Sequence, residues 1–233
     1  MTRMTKPADP TQAAPPGDFE AARRAMVETQ LRPRGILDRR VLAAMLRVPR
    51  HEFVPPESRA SAYADEALSI DEGQTISQPY IVAAMTAALQ LSGAERVLET
   101  GTGCGYQAAV LSLLAREVFT VECVAALAQA ARERLARLGY ANVQVFEGDG
   151  ALGLPQFAPF DAILVSAAAP AVPAPLLEQL ADGGRLILPV GNAEEQQLLL
   201  LKRAGHTFLK RAFDRCRFVP LLGRYGWREL PPE

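Results

Sequence analysis

Residues 97–111, reading VLETGTGCGYQAAVL, run an apolar β-type segment straight into glycines at positions 101, 103 and 105 and from there into a helical pattern. Glycines at such a junction let the backbone turn sharply and approach a ligand closely, while the free N–H groups of the helix start face whatever sits above the strand end. That is the ligand crevice of an open α/β sheet, and it requires parallel neighbours on both sides. The surrounding chain supplies them. Short apolar runs at 96–100, 118–122, 143–147, 161–165, 185–190 and 197–202 alternate, in the early part, with helical stretches at 106–115 and 124–138. Runs too apolar to be half-exposed, alternating regularly with helices, predict a sheet covered on both faces: a doubly wound, mostly parallel, Rossmann-like α/β fold. An alternating segment at 213–219 reads as one more strand.

Before this core the texture is helical. Asp18 is placed to cap a helix carrying Phe19, Ala22, Met26, Val27 and Leu31 at helical spacing before Pro33 and Gly35 break it. A second helix is expected at about 38–46, loop-like chain at 51–77, and a helix at 79–91 with Pro79 in its first turn. Residues 1–17 hold four prolines and almost no large apolar side chains, so they are expected to be a disordered Pro/Ala-rich arm. The expected organisation is thus an arm at 1–17 and a single domain at 18–233. Within that domain, 18–78 forms a helical lead-in and active-site loop, and 79–233 forms the core and C-terminal strands.

Composition then removes whole classes of function. Twenty-five basic against 26 acidic residues leave a net charge of −1, and aromatics are 6% of the chain, so no basic surface interleaved with stacking rings is available and no nucleic-acid partner is expected. Cys104, Cys123 and Cys216 are spaced for neither a disulfide framework nor a metal site, and the two histidines, His51 and His206, read as structural. No metal is expected. A reducing, cytoplasmic location fits best, with no membrane association and no stable protein partner.

The glycine spacing narrows the ligand. A nicotinamide fingerprint places its third glycine at 106, where Tyr106 stands; the G-x-G-x-G form suits a ligand without a pyrophosphate, such as S-adenosylmethionine. Glu122 ends the second strand 21 residues after Gly101, where an acidic side chain reaches ribose hydroxyls, or else it is a helix N-terminal charge. Asp149, in the EGDG stretch 147–150, either accepts from an adenine amine or serves a turn, and Glu99 either caps loop N–H groups or binds the ligand's amino acid portion. The fourth strand ends in Ser166 and three alanines, offering no strong base, and the cysteines are placed as structural fillers. A polar segment, GQTISQP at 73–79, precedes a helix start; Ser77 there is either an N-cap or a functional hydroxyl.

Taken in order and spacing, GQTISQPYIVAAM (73–85), VLETGTGCGYQAAVL (97–111), EGDG (147–150), FDAILVSAAAP (160–170), QLADGGRLILPVG (179–191) and CRFVPLLG (216–223) resemble the protein-L-isoaspartate O-methyltransferases, a class I methyltransferase family. MVETQLRPRGI (26–36) and RVPRHEFVP (47–55) resemble that family's N-terminal segment. A departure lies at Leu68-Ser69-Ile70-Asp71, where bacterial members usually read Leu-Pro-Ile-Gly. The resemblance implies methyl transfer from S-adenosylmethionine to the α-carboxylate of L-isoaspartyl residues in damaged proteins or peptides. The cofactor loop alone leaves a small-molecule or RNA acceptor as the alternative. The resemblance also implies roles: Ser77 as the active-site serine; Thr75, Ile76, Val219 and Leu222 beside the peptide; and Glu99, Gly101, Thr102, Gly103, Gly105, Tyr106, Glu122, Asp149 and Gly150 around the cofactor.

Overall fold

The computed structural model describes residues 18–227; the N-terminal arm anticipated at 1–17 lies outside the described residues. Strand alternation sorts apolar side chains cleanly onto two faces of one sheet. Val97, Ala162, Leu164 and Ile187 join one buried cluster, while their chain neighbours Leu98, Ile163, Val165, Leu186 and Leu188 join the other. Period-two side-chain direction makes each strand feed both cores, so near-continuous apolar runs are required.

The strands of this sheet are β3 (Arg96–Thr100), β4 (Glu117–Glu122), β5 (Val143–Glu147), β6 (Phe160–Val165), β7 (Leu180–Gly191), β8 (Gln196–Ala204) and β9 (Thr207–Cys216), after a two-stranded ribbon of β1 (Leu68–Ser69) and β2 (Thr75–Ile76). Their order is β5-β4-β3-β6-β7-β8-β9. The first five in that order are parallel; β8 and β9 are antiparallel. The links at 192–195 and 205–206 are far shorter than the dozen or so residues a parallel crossover needs, which dictates the reversal. The last strand is displaced from its expected place at 213–219. It starts at Thr207, on the far side of the turn at Gly205, and ends at Cys216, leaving residues beyond it to cross back toward β6, where Pro220 bridges Ala168.

Helices α3 (Pro79–Ala88), α4 (Tyr106–Ser112) and α5 (Ala125–Arg137) share one face with the lead-in helices α1 (Phe19–Met26) and α2 (Arg39–Arg47). The short α6 (Ala174–Glu178) and residues around 151–160 cover the other. Asp18 and Asp38 cap α1 and α2 with their carboxylates, accepting from Ala21 and from Arg40 and Val41. The single helix expected from Asp18 to Leu31 is instead α-helical only to Met26. A π turn follows at Val27–Leu31 and a 3-10 turn at Arg32–Arg34, because Pro33 has no N–H to continue the ladder and Gly35 closes the segment at φ +85°.

Because β4 and β5 lie to one side of β3 and β6 to the other, the chain leaves the adjacent C-terminal ends of β3 and β6 in opposite directions. That divergence opens the crevice in which ligands of such sheets bind.

Candidate active site

The loop between β3 and α4 holds Gly101, Gly103 and Gly105 at φ +86°, +52° and +89°, left-handed conformations that glycine adopts without penalty. At Gly101 an added Cβ would meet the Ser166 Cβ on the loop after β6 at 3.5 Å, an ordinary contact, so it is the left-handed backbone that calls for glycine there. The loop is fastened on both sides: Gly101 N–H donates to the Val121 carbonyl at 2.9 Å, and Gly103 N–H donates to Glu122 Oε2 at 2.8 Å. Glu122 uses its other oxygen to accept from Val124 N–H at 3.1 Å, so one carboxylate ties the glycine loop to the start of α5.

A cavity of about 290 Å³ opens above this loop. It collects Thr75, Ile76 and Ser77 from the ribbon and the turn into α3, Glu99, Gly101, Thr102, Gly103 and Tyr106 from β3 and its loop, Glu122, Gly150, and Val219 and Leu222 from the returning C-terminal segment. Two expected members stand apart. Gly105 is the N-cap of α4, and its missing side chain makes room for Leu135, 3.2 Å from where a Cβ would lie. Asp149 does not line the cavity; its carboxylate accepts from Ala151 N–H at 2.8 Å and from Arg224 N–H at 2.7 Å, fastening the C-terminal segment beside the site.

Glu99 is the most unusual group present. It has no exposed surface; Oε2 accepts from the Thr120 hydroxyl at 2.7 Å, which is itself 2.6 Å from the Thr102 hydroxyl, while Oε1 has no hydrogen-bond partner among the described residues. Burial pushes its carboxyl up to about 8, helped by the negative charge of Glu122 and opposed by the hydroxyls of Thr120 and nearby Ser166. A buried carboxylate oxygen left unmatched on a ligand cavity fits a cationic hydrogen-bond donor, such as the ammonium of an amino acid moiety.

Ser77 does not cap α3. The N-cap is Gln78, which contributes no side-chain bond, and Pro79 follows at the first position. The Ser77 hydroxyl makes no hydrogen bond among the described residues, and Ser77 lines both the first cavity and a second one of about 420 Å³. Thr75, Ser166 and Val219 are likewise shared; Arg34, Asp65, Tyr80, Phe213, Arg217 and Phe218 line the second cavity beyond them. Ser166, Ala167, Val121 and Cys123 line the first cavity without having been anticipated as site residues. The signal for Ser166 was its place directly after the strand that pairs with β3, which the absence of a strong base there obscured. Partial desolvation and the adjacent Glu122 carboxylate push the Cys123 thiol up to about 11, the opposite of what activates a cysteine nucleophile. Neither histidine lines either cavity, and His51 stacks on Phe19 at 4.0 Å. No cluster of metal-ligating side chains occurs among the described residues.

The family model for protein-L-isoaspartate(D-aspartate) O-methyltransferase matches residues 21–226. The chain belongs to this family. It is therefore an O-methyltransferase with the class I methyltransferase fold. A protein-L-isoaspartate O-methyltransferase from Roseiflexus sp. (strain RS-1) is 57% identical over 210 residues, covering 90% of this chain and 96% of the relative. One from Geobacter metallireducens is 54% identical over 211 residues, covering 90% and 98%. Among solved structures, a protein-L-isoaspartate O-methyltransferase superposes with a TM-score of 0.78 at 32% identity over 88% of this chain and 67% of its own. A Plasmodium falciparum protein described in the same terms, in complex with S-adenosyl-L-homocysteine, gives 0.73 at 25% identity over 86% and 98%. In this methyltransferase no helix among the described residues is long and apolar enough to cross a membrane.

Proposed function

We propose that this enzyme transfers a methyl group from S-adenosylmethionine to the α-carboxylate of L-isoaspartyl residues in damaged proteins and peptides, beginning a repair that proceeds through a succinimide. The observation that carries the reading is the junction of the two cavities at Ser77: the first carries the unmatched Glu99 oxygen, suited to a cationic group, and the second offers a further volume of about 420 Å³ beside it for the acceptor. Bound S-adenosylmethionine supplies a methyl group already activated by its sulfonium. The unmatched Glu99 oxygen accepts from the cofactor's amino acid portion, Gly101 and Gly103 let the backbone lie against it, and Glu122 holds the loop in that shape.

The acceptor needs no base. A carboxylate of ordinary pKa ~4 is already an anionic nucleophile at neutral pH, so the transfer calls on no proton abstraction, and neither histidine lines either cavity. The Ser77 hydroxyl donates to the acceptor carboxylate and aims it, while Ile76, Val219 and Leu221 keep water from the junction. Thr75 and Leu222 border the same place. Three free cysteines fit a cytoplasmic enzyme.

Paired peptides differing only in aspartyl linkage test the reading, with labelled cofactor and detection of a base-labile, methanol-releasing ester. The isoaspartyl linkage adds a methylene to the backbone and moves the free carboxylate by a bond length or more, and misplacement of about 1 Å costs on the order of 10²-fold. The isoaspartyl peptide is expected to be methylated at least ~10²-fold faster in kcat/KM. Equal rates on both peptides would sink the substrate assignment.

A further inference from the structure

We propose that Arg50 is a positioning residue for the cofactor loop, acting through the ring of Tyr106 at the start of α4. The inference rests on the reading of the first cavity as the cofactor site. Arg50 opens a short 3-10 turn in the lead-in and has no exposed surface. Its Nε donates to the Ala62 carbonyl at 2.7 Å, yet neither terminal nitrogen has a hydrogen-bond partner among the described residues. The guanidinium lies 4.8 Å from the centroid of the Tyr106 ring, a cation on an aromatic face. Burial lowers its pKa, with Tyr106 and Cys104 pulling the other way.

Such a group is a poor choice for stability alone. A buried charge without full pairing is costly, and an apolar side chain of similar length commonly serves a core as well or better. What the arginine holds is informative. The Tyr106 ring is wedged in the lead-in: its face on Arg50, Phe53 edge-on at 5.5 Å, and its hydroxyl donating to Met45 Sδ at 3.8 Å. The same residue follows Gly105 directly and borders the first cavity. Three glycines with positive φ in five residues make a loop with little shape of its own, so its geometry comes from what holds its ends. Glu122 holds it from the α5 side. Arg50, through Tyr106, holds it from the lead-in.

Arg50→Met in the full-length enzyme separates this role from packing. The variant is expected to melt at the wild-type temperature or above, while S-adenosylhomocysteine, titrated calorimetrically, binds ~5-fold or more weakly, because a loop no longer held populates its binding shape less. The KM for an isoaspartyl peptide at saturating cofactor should stay within about 2-fold, since the peptide side is untouched. Arg50→Lys, which keeps the charge but not the planar face, should fall between, and Arg50→Met combined with Tyr106→Leu should bind no more weakly than the worse single variant. Wild-type affinity for S-adenosylhomocysteine in folded Arg50→Met, or in Arg50→Lys if the methionine variant does not fold, overturns the inference. No binding by the unaltered enzyme would instead overturn the cofactor reading beneath it.

Discussion

At Glu99 a carboxyl with no exposed surface keeps one oxygen unmatched, and two consequences follow with opposite signs. Without ligand, its folded value of about 8 stands above the ordinary 4.5, so the folded enzyme holds the proton that the unfolded chain releases. Below the ordinary value both states are protonated and nothing is lost; as pH rises through about 8 the folded state must bury a charge, and stability falls across that window. Glu99→Gln removes this slope. Its melting temperature relative to wild type should climb as pH rises across the window, whereas its affinity for S-adenosylhomocysteine should drop by about 1.5–3 kcal/mol, the worth of a hydrogen bond to a charged group. Parallel pH–melting curves for the two proteins would show that Glu99 is not the buried acid described. At Ser77 the contrast is simpler. A hydroxyl that caps nothing should leave melting within ~0.5 kcal/mol of wild type when removed, while Ser77→Ala lowers kcat on the isoaspartyl peptide by ~10-fold or more. Unchanged turnover would strip Ser77 of its role. Sequence alone left Ser77 suspended between cap and function; the α3 terminus decides for a free hydroxyl because the chain enters the helix at Gln78.

Among the elements, the β3–α4 loop was the most legible, because glycine spacing reports backbone conformation directly. All three glycines adopt positive φ, and Gly101 also faces Ser166 across the crevice. Gly101→Val should therefore cost about 1–3 kcal/mol in left-handed backbone strain. The expected result is a folded protein of lower melting temperature with S-adenosylhomocysteine binding abolished; retained affinity in calorimetry would remove the loop from the site. Asp149 illustrates the opposite case. Its position after β5 left it open between a ligand's amine and a turn, and in the fold both its oxygens accept from backbone N–H groups, one of them on Arg224, 75 residues away in the chain. No local pattern announces such a partner. The strand at the C-terminal end was misplaced for a similar reason: alternation continues through 213–219, but pairing with β8 starts from the turn at Gly205 and sets the register from there.

Across the whole molecule, the first cavity is assembled from stretches far apart in the chain, three of them being the ribbon and turn at 72–77, the loop at 101–106 and the returning segment at 219–222. Ligand binding should therefore slow hydrogen exchange in all three together, and raise stability by about 2.7 kcal/mol when S-adenosylhomocysteine is present at 100 times its Kd. Protection confined to the glycine loop would contradict a site built in this way. By itself the sequence determined the alternation of strands and helices, the glycine turn, the Asp18 cap of the first lead-in helix and the family, since each is written in local period, turn chemistry or motif. Only the tertiary structure decided that Asp149 fastens the C-terminal segment, that Ser166 faces the glycine loop, and that a buried arginine lies on the ring of Tyr106. These are contacts between residues dozens of positions apart, and the free energy that selects them comes from burial and pairing across the sheet's faces, which no window along the chain contains.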